Sequence, residues 1–287
     1  RRWDGVDARR LARRVDPLPT SITLAEVEAL RTGDGRGLAE SSTGPRRTSQ
    51  HTSADTSRTE SVPPTVCTVG AGGDHLGPVD VDLAELGSTF LVSGPARSGR
   101  STALATIVES LAGRATGDLQ VVLCCPRSSP LTELAELPGV LRLLTGPEIG
   151  TDLDDTLGLA GGPVAIVVDD AEYLGESVAA DVLDQLVRGA RDDGNVVVAA
   201  GTTEELMLQR YRGWIAGIRR ARCGLLLNPM SYTDGEVFDL RLPRSTRGGW
   251  PAGRALLVRR DSTQLVQVPL RGGAAALDPA DELAWVR

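Results

Sequence analysis

Nine consecutive residues, Gly94-Pro95-Ala96-Arg97-Ser98-Gly99-Arg100-Ser101-Thr102, lie directly after the apolar run Phe90-Leu91-Val92 and directly before Ala103-Leu104-Ala105. Gly, four residues, Gly, a cation and then Ser, set between a strand and a helix, is the spacing of a phosphate-cradling loop. Gly94 and Gly99 permit backbone conformations and approach distances that a side chain would obstruct, and the amides from Arg97 to Thr102 can turn inward as an anion nest at a helix N-terminus. Ser101 is positioned to place its hydroxyl on a magnesium ion, and Thr102 to support the loop or an α-phosphate. Arg100 stands where the pattern has Lys. Its planar fork is wider than an ammonium group, so binding is expected to survive the exchange better than hydrolysis. No Lys occurs among the 31 basic residues, and none can reach in as a substitute. A plain glycine-rich strand-to-helix turn is the other reading of this stretch.

Two further strand ends carry polar chemistry. Val164-Ala165-Ile166-Val167-Val168 runs into Asp169-Asp170. A carboxylate at the C-terminal edge of a strand beside the P-loop strand can hold a magnesium shell through water, and Asp169 fits that role. Asp170 falls where a Glu often polarises the attacking water, with a shorter arm. A surface turn is the competing reading of the pair. Val196-Val197-Val198-Ala199-Ala200 ends in Gly201-Thr202-Thr203, and Thr202 is the candidate for sensing a γ-phosphate. Thr203-Glu204-Glu205 reads equally as a helix cap with acids in the first turn. Arg219, Arg220 and Arg222 close a helix, where its dipole favours cations; an arginine finger aimed at a neighbouring subunit is the sharper alternative.

These residues need a scaffold that brings several strand ends together. From Pro63 onward, short β-branched runs alternate with helical stretches. Strands are predicted at Val66–Val69, Thr89–Ser93, Gln120–Cys125, Leu141–Leu144, Val164–Val168, Val196–Ala200, Gly224–Leu227, Ala255–Val258 and Leu265–Val268; helices are predicted at Thr102–Leu111, Ser177–Arg191 and Glu204–Arg220. The central strands are continuous apolar runs, as strands covered on both faces must be. An α/β fold with a mostly parallel central sheet and helices on both faces follows. Residues 1–32 form a helical tail or connector, with Val6, Leu11 and Val15 near helical spacing and a restart after Pro17-Leu18-Pro19-Thr20. Residues 33–62 hold only Leu38 and Val62 as large aliphatics, the composition of a disordered linker. Residues 63–270 make the main domain and 271–287 a tail.

Among the 287 residues, 41% are hydrophobic, enough for a sizeable core and incompatible with a wholly disordered chain. No run approaches the roughly 20 apolar residues of a membrane span. Residues 61–200 carry 20 acids against 7 arginines, which argues against a broad nucleic-acid footprint there. Cys124 and Cys125 are adjacent on a strand and face opposite ways, so they cannot grip one metal; with Cys67 and Cys223 they read as small core hydrophobes. A start at Arg1-Arg2-Trp3 reads as a late portion of something longer.

In this order the motifs resemble the FtsK/SpoIIIE family of RecA-like P-loop motor ATPases. The likeness rests also on Gly70-Ala71-Gly72-Gly73-Asp74-His75-Leu76-Gly77-Pro78-Val79 with Val81-Asp82-Leu83, on Gly235-Glu236-Val237-Phe238-Asp239-Leu240-Arg241-Leu242-Pro243-Arg244, and on Pro251–Val258 with Val266-Gln267-Val268. It is greatest toward the late, degenerate modules of actinobacterial multi-ATPase chains, including EccC-type motors of type VII secretion and their forkhead-associated-domain relatives. The resemblance implies ATP and Mg2+ as ligands, neighbouring ATPase modules or subunits in a ring or tandem stack, and DNA or a secreted protein as cargo. It also implies a cytoplasmic location at the inner face of the membrane, with membrane contact only through upstream segments. A non-catalytic module whose pocket docks a secretion substrate or partner subunit is the competing function.

Overall fold

The computed structural model describes residues 15–32, 62–114, 119–146, 149–260 and 262–271. The expected helix around Val6 and Leu11, nearly all of the 33–62 linker and the tail beyond Arg271 lie outside the described residues.

Ten strands form one sheet: β1 (Val66–Gly72), β2 (Gly77–Asp82), β3 (Thr89–Ser93), β4 (Gln120–Cys125), β5 (Val140–Thr145), β6 (Val164–Val168), β7 (Val196–Gly201), β8 (Gly224–Leu227), β9 (Arg254–Arg259) and β10 (Ser262–Gln267). Their order is β2-β1-β10-β9-β8-β3-β7-β6-β4-β5. From β8 to β5 the strands run parallel; from β2 to β8 they are antiparallel. The helices are α1 (Leu24–Thr32), α2 (Arg100–Arg114), α3 (Ile149–Leu159), α4 (Ala179–Asp193), α5 (Thr203–Leu208) and α6 (Gly213–Arg219).

Alternation along the central strands divides the core into two layers. Phe90 and Val92 of β3, with Ala165 and Val167 of β6, face the layer filled by Leu104, Ile107, Val108 and Leu111 of α2. Leu91, Ile166 and Val168 face the opposite layer, filled by Leu153 of α3, Leu183 of α4 and Trp214 and Ile218 of α6. Every residue of β3, β6 and β7 is buried, as the unbroken apolar runs require. Cys125 belongs to the α2 layer and Cys124 to the other, and all four cysteines are free and buried.

The structure departs from the predicted elements in four places. The edge strand β2 and helix α3 were not expected. The single helix over 204–220 is two helices, broken at Arg210-Tyr211-Arg212, with Gly213 at φ +66. Finally, β6 is not beside the P-loop strand: β7 pairs with both and stands between them.

Residues 15–32 dock on the sheet. Thr23 caps α1, its hydroxyl accepting from the Glu26 amide at 3.3 Å while the Glu26 carboxylate accepts from the Thr23 amide at 2.7 Å, a reciprocal arrangement that satisfies two donors. Ile22 and Val27 bury against Ala71 of β1. Arg31 forks onto Asp80 of β2 at 2.6 and 2.9 Å. Arg254 reaches the carbonyls of Leu18 and Pro19, at 3.3 and 2.7 Å.

A candidate nucleotide site

Ser93 ends β3, and the loop Gly94–Gly99 carries the chain into α2 at Arg100. Arg97 and Gly99 take φ of +62 and +102, and the second of these favours a residue without a Cβ. At Gly94 the constraint is one of space. A Cβ there would lie 2.6 Å from Ser98 Oγ and 2.9 Å from both Cβ and the carbonyl oxygen of Leu227. The Ser98 hydroxyl is buried with no partner among the described residues. The first-turn amides of α2 have no intrahelical acceptor, and the residues that carry them, Arg100, Ser101 and Thr102, line a cavity with Arg97 and Gly99. Its volume is about 290 Å³ and its opposite wall is Ala252, Gly253, Val268 and Leu270. The Gly253 amide donates to the Ser98 carbonyl at 3.0 Å, holding that wall to the loop.

Asp169 follows β6 and is 2% exposed. Ser101 Oγ donates to its Oδ2 at 2.8 Å, and Ser129 Oγ donates to the same oxygen at 2.6 Å. The strand after the P-loop strand in space thus adds no barrier: parallel register places Ser93 level with Gly201 and Val168 level with Ala199, so all three strands end at one edge of the sheet. Asp170 adopts a left-handed backbone, φ 49 and ψ 51. Its Oδ1 faces Arg100 Nη2 at 3.3 Å, and Arg100 Nη1 donates to the Gly94 carbonyl at 3.0 Å. Burial raises the Asp170 carboxyl above the usual carboxylate range, helped by Asp169 and Glu172 and opposed by Arg100 and Arg127.

Thr202 closes β7 at the N-terminus of α5, and its side chain makes no cap bond to that helix. Its amide and hydroxyl both donate to Glu172 Oε1, at 3.2 and 3.1 Å. The other Glu172 oxygen is buried without a partner among the described residues. The hydroxyls of Ser93 and Thr203, 2.9 Å apart, join the end of β3 to the first turn of α5.

Arg219, the last residue of α6, and Arg220 and Arg222 after it lie by the N-terminal end of β8, away from the P-loop edge. Arg219 donates to the carbonyls of Val237, Arg210 and Glu236, so it braces its own fold. Burial lowers its pKa. Arg222 pairs with Asp239 at 2.9 Å, and a cavity there is lined by Arg220, Arg222, Asp239 and Arg260.

Sequence reasoning missed Ser129, Glu172 and the Ala252–Gly253 wall. Ser129 sits in the polar stretch Pro126-Arg127-Ser128-Ser129-Pro130, which signals a turn and nothing more. Glu172 reads as one more surface acid after a strand. The wall is made by residues more than a hundred positions from the loop, and its only local mark is Pro251-Ala252-Gly253.

The residues present fit a magnesium-bound phosphate. Ser101 and Asp169 are oxygen ligands of the hard kind that magnesium takes, the cavity beside the first turn of α2 has room for an anion, and within the loop the buried Ser98 hydroxyl has no partner among the described residues.

The fold is a mixed α/β one with a mostly parallel central sheet, similar to that of solved ATPase modules. In three dimensions the chain is similar to ATPases 2 and 3 of Thermomonospora curvata EccC, solved in complex with a signal sequence peptide: TM-score 0.65, 20% identity, 90% of this chain and 44% of that one. It is similar also to ATPases 2 and 3 of EssC from Geobacillus thermodenitrificans, with TM-score 0.58, 18% identity, 72% of this chain and 41% of that one. A third structure, described as an ATPase, gives TM-score 0.61 and 20% identity over 89% of this chain and 97% of that one. The chain spans less than half of the EccC and EssC chains. No protein-family model and no curated protein matches the sequence.

Proposed function

We propose that the chain is an ATP-binding module of an FtsK/SpoIIIE-type motor, with weak or regulatory hydrolysis, working inside a larger translocation assembly. The observation that carries this reading is the 2.8 Å bond from Ser101 to Asp169, which brings the first turn of α2 and the end of β6 together, so that these two residues would hold a magnesium ion. Bound magnesium would offset phosphate charge. The chain's own residues do the rest: Gly94–Thr102 cradles the anion, Ser129 keeps Asp169 oriented, and the Ala252–Gly253 wall shields the loop from water.

Asp170 and Thr202 are the candidates for work on the γ-phosphate side, and both are engaged, with Arg100 and Glu172. That engagement supports slow turnover. Neighbouring modules, with DNA or a secreted protein as cargo, complete the proposal, as does a place on the cytoplasmic side; among the described residues no helix is long and apolar enough to cross a membrane. The domain limits 1–32, 33–62, 63–270 and 271–287 stand as part of the same proposal. The second reading, a non-catalytic docking module, is favoured by Arg100 spending its donors inside the protein. Equilibrium binding and steady-state turnover of Mg-ATP separate the two. Binding with turnover well below the usual 1–10³ s⁻¹ of enzymes is expected; no binding at millimolar nucleotide leaves the docking reading alone.

A further inference from the structure

We propose that Asp170 serves as an internal counter-anion that holds Arg100 across the phosphate cradle, so that a nucleotide binds by displacing an ion pair already built into the site. The proposal rests on the reading of the loop as a nucleotide site and says how that site is restrained.

Arg100 is the first residue of α2, yet its guanidinium turns back over the loop. Nη1 takes the carbonyl of Gly94, where the loop begins, and Nη2 takes Asp170 Oδ1. One side chain therefore ties both ends of the cradle to the strand end that carries the acids. The two side chains are only 13% and 22% exposed, so water screens the pair less than it does a surface ion pair. A guanidinium stays charged, and its planar fork fits carboxylate and phosphate oxygens equally well. Asp170 Oδ1 and a phosphate oxygen therefore compete for the same donors. An ammonium carries all three donors on one atom, so Lys at this position could not span Gly94 and Asp170 from two nitrogens.

The backbone supports the arrangement. Asp170 stands in the left-handed region, uncommon for a residue with a side chain, and its amide donates to Asp169 Oδ1 at 3.1 Å. This turn sends the two neighbouring carboxylates to different partners: Asp169 to Ser101 and Ser129, Asp170 to Arg100. The sequence alone suggests that Asp170 polarises water; the contacts give it a prior engagement.

The test is a cycle of full-length variants, wild type, Asp170→Asn, Arg100→Lys and the double variant, titrated with a fluorescent ATP analogue and Mg2+ and also unfolded by heat without ligand. Asp170→Asn is expected to bind about three- to tenfold tighter than wild type, the size of a partly shielded ion pair, and to unfold at lower temperature when ligand-free. In the Arg100→Lys background the same change should add less than about twofold. A gain that persists undiminished there would be a general effect of removing negative charge, and would overturn the proposal. Asp170→Asn binding equal to or weaker than wild type would overturn it too, while leaving the nucleotide reading intact. If none of the four proteins binds, the nucleotide reading itself fails, and the counter-anion role with it.

Discussion

The hydroxyl of Ser101 donates to Oδ2 of Asp169 across 2.8 Å, although 68 residues of chain separate them. Ser129 donates to the same oxygen from a third segment. A buried carboxylate that accepts from two hydroxyls and from the Asp170 amide is well satisfied, and its removal leaves three donors stranded.

Asp169→Ala is therefore expected to cost about 1–3 kcal/mol of stability, besides weakening any magnesium-dependent binding. Chemical denaturation of the ligand-free protein reads the first effect separately from the second. An unchanged unfolding midpoint would mean that these donors find water instead.

Gly94→Ala tests the cradle sterically. The new Cβ meets a backbone carbonyl at 2.9 Å, which cannot rotate away as a side-chain tip could. Overpacking of this kind costs about 1–3 kcal/mol, and thermal unfolding should show the loss together with loss of nucleotide affinity.

Arg100→Lys supplies the cation of the usual motif. Without a fork to hold Gly94 and Asp170 together, the loop is expected to bind Mg-ATP more tightly and turn it over faster than wild type. Turnover that stays flat while affinity rises would place the remaining block at Asp170 or at a residue supplied from outside the chain.

The cysteines give a pH prediction. Burial pushes the Cys125 thiol up to about 11 and Cys124 higher still. Because the thiolate is the reactive form, native protein should react negligibly with a thiol reagent between pH 7 and 9. Raising the pH toward 11 favours thiolate formation, which the buried sites resist, so labelling should follow unfolding rather than titration. Rapid labelling of Cys124 or Cys125 in the native protein at pH 8 would contradict the packing of β4.

Much of this site was legible because its parts are local. A P-loop is nine contiguous residues, and Val164–Asp170 shows both a buried strand and the acids at its end. Contacts across the fold were not legible. Ser129 meets Asp169, and Glu172 meets Thr202, through strand neighbours that no short window displays. Helix α3 hid because Asp152, Asp154 and Asp155 with Gly150 and Gly158 obscure the spacing of Ile149, Leu153 and Leu157; α3 forms because that apolar stripe packs on the sheet and on α4. Strand β2 hid behind Pro78, tolerated because β2 is an edge strand. The break between α5 and α6 is marked in the sequence by Gly213 alone, and the insertion of β7 between β3 and β6 is a matter of topology that strand text does not encode.

In the proposed function the Gly94–Thr102 loop and Asp169 together would hold a magnesium-bound triphosphate. Isothermal titration of the wild-type chain with ATP, with Mg2+ and then with the metal chelated, tests it most directly when repeated on Ser101→Ala. The account predicts saturable binding at or below about 1 mM nucleotide that weakens on chelation, and a Ser101→Ala protein that binds weakly and no longer responds to the metal. Absence of binding at several times that concentration, or binding indifferent to both magnesium and Ser101, would contradict it.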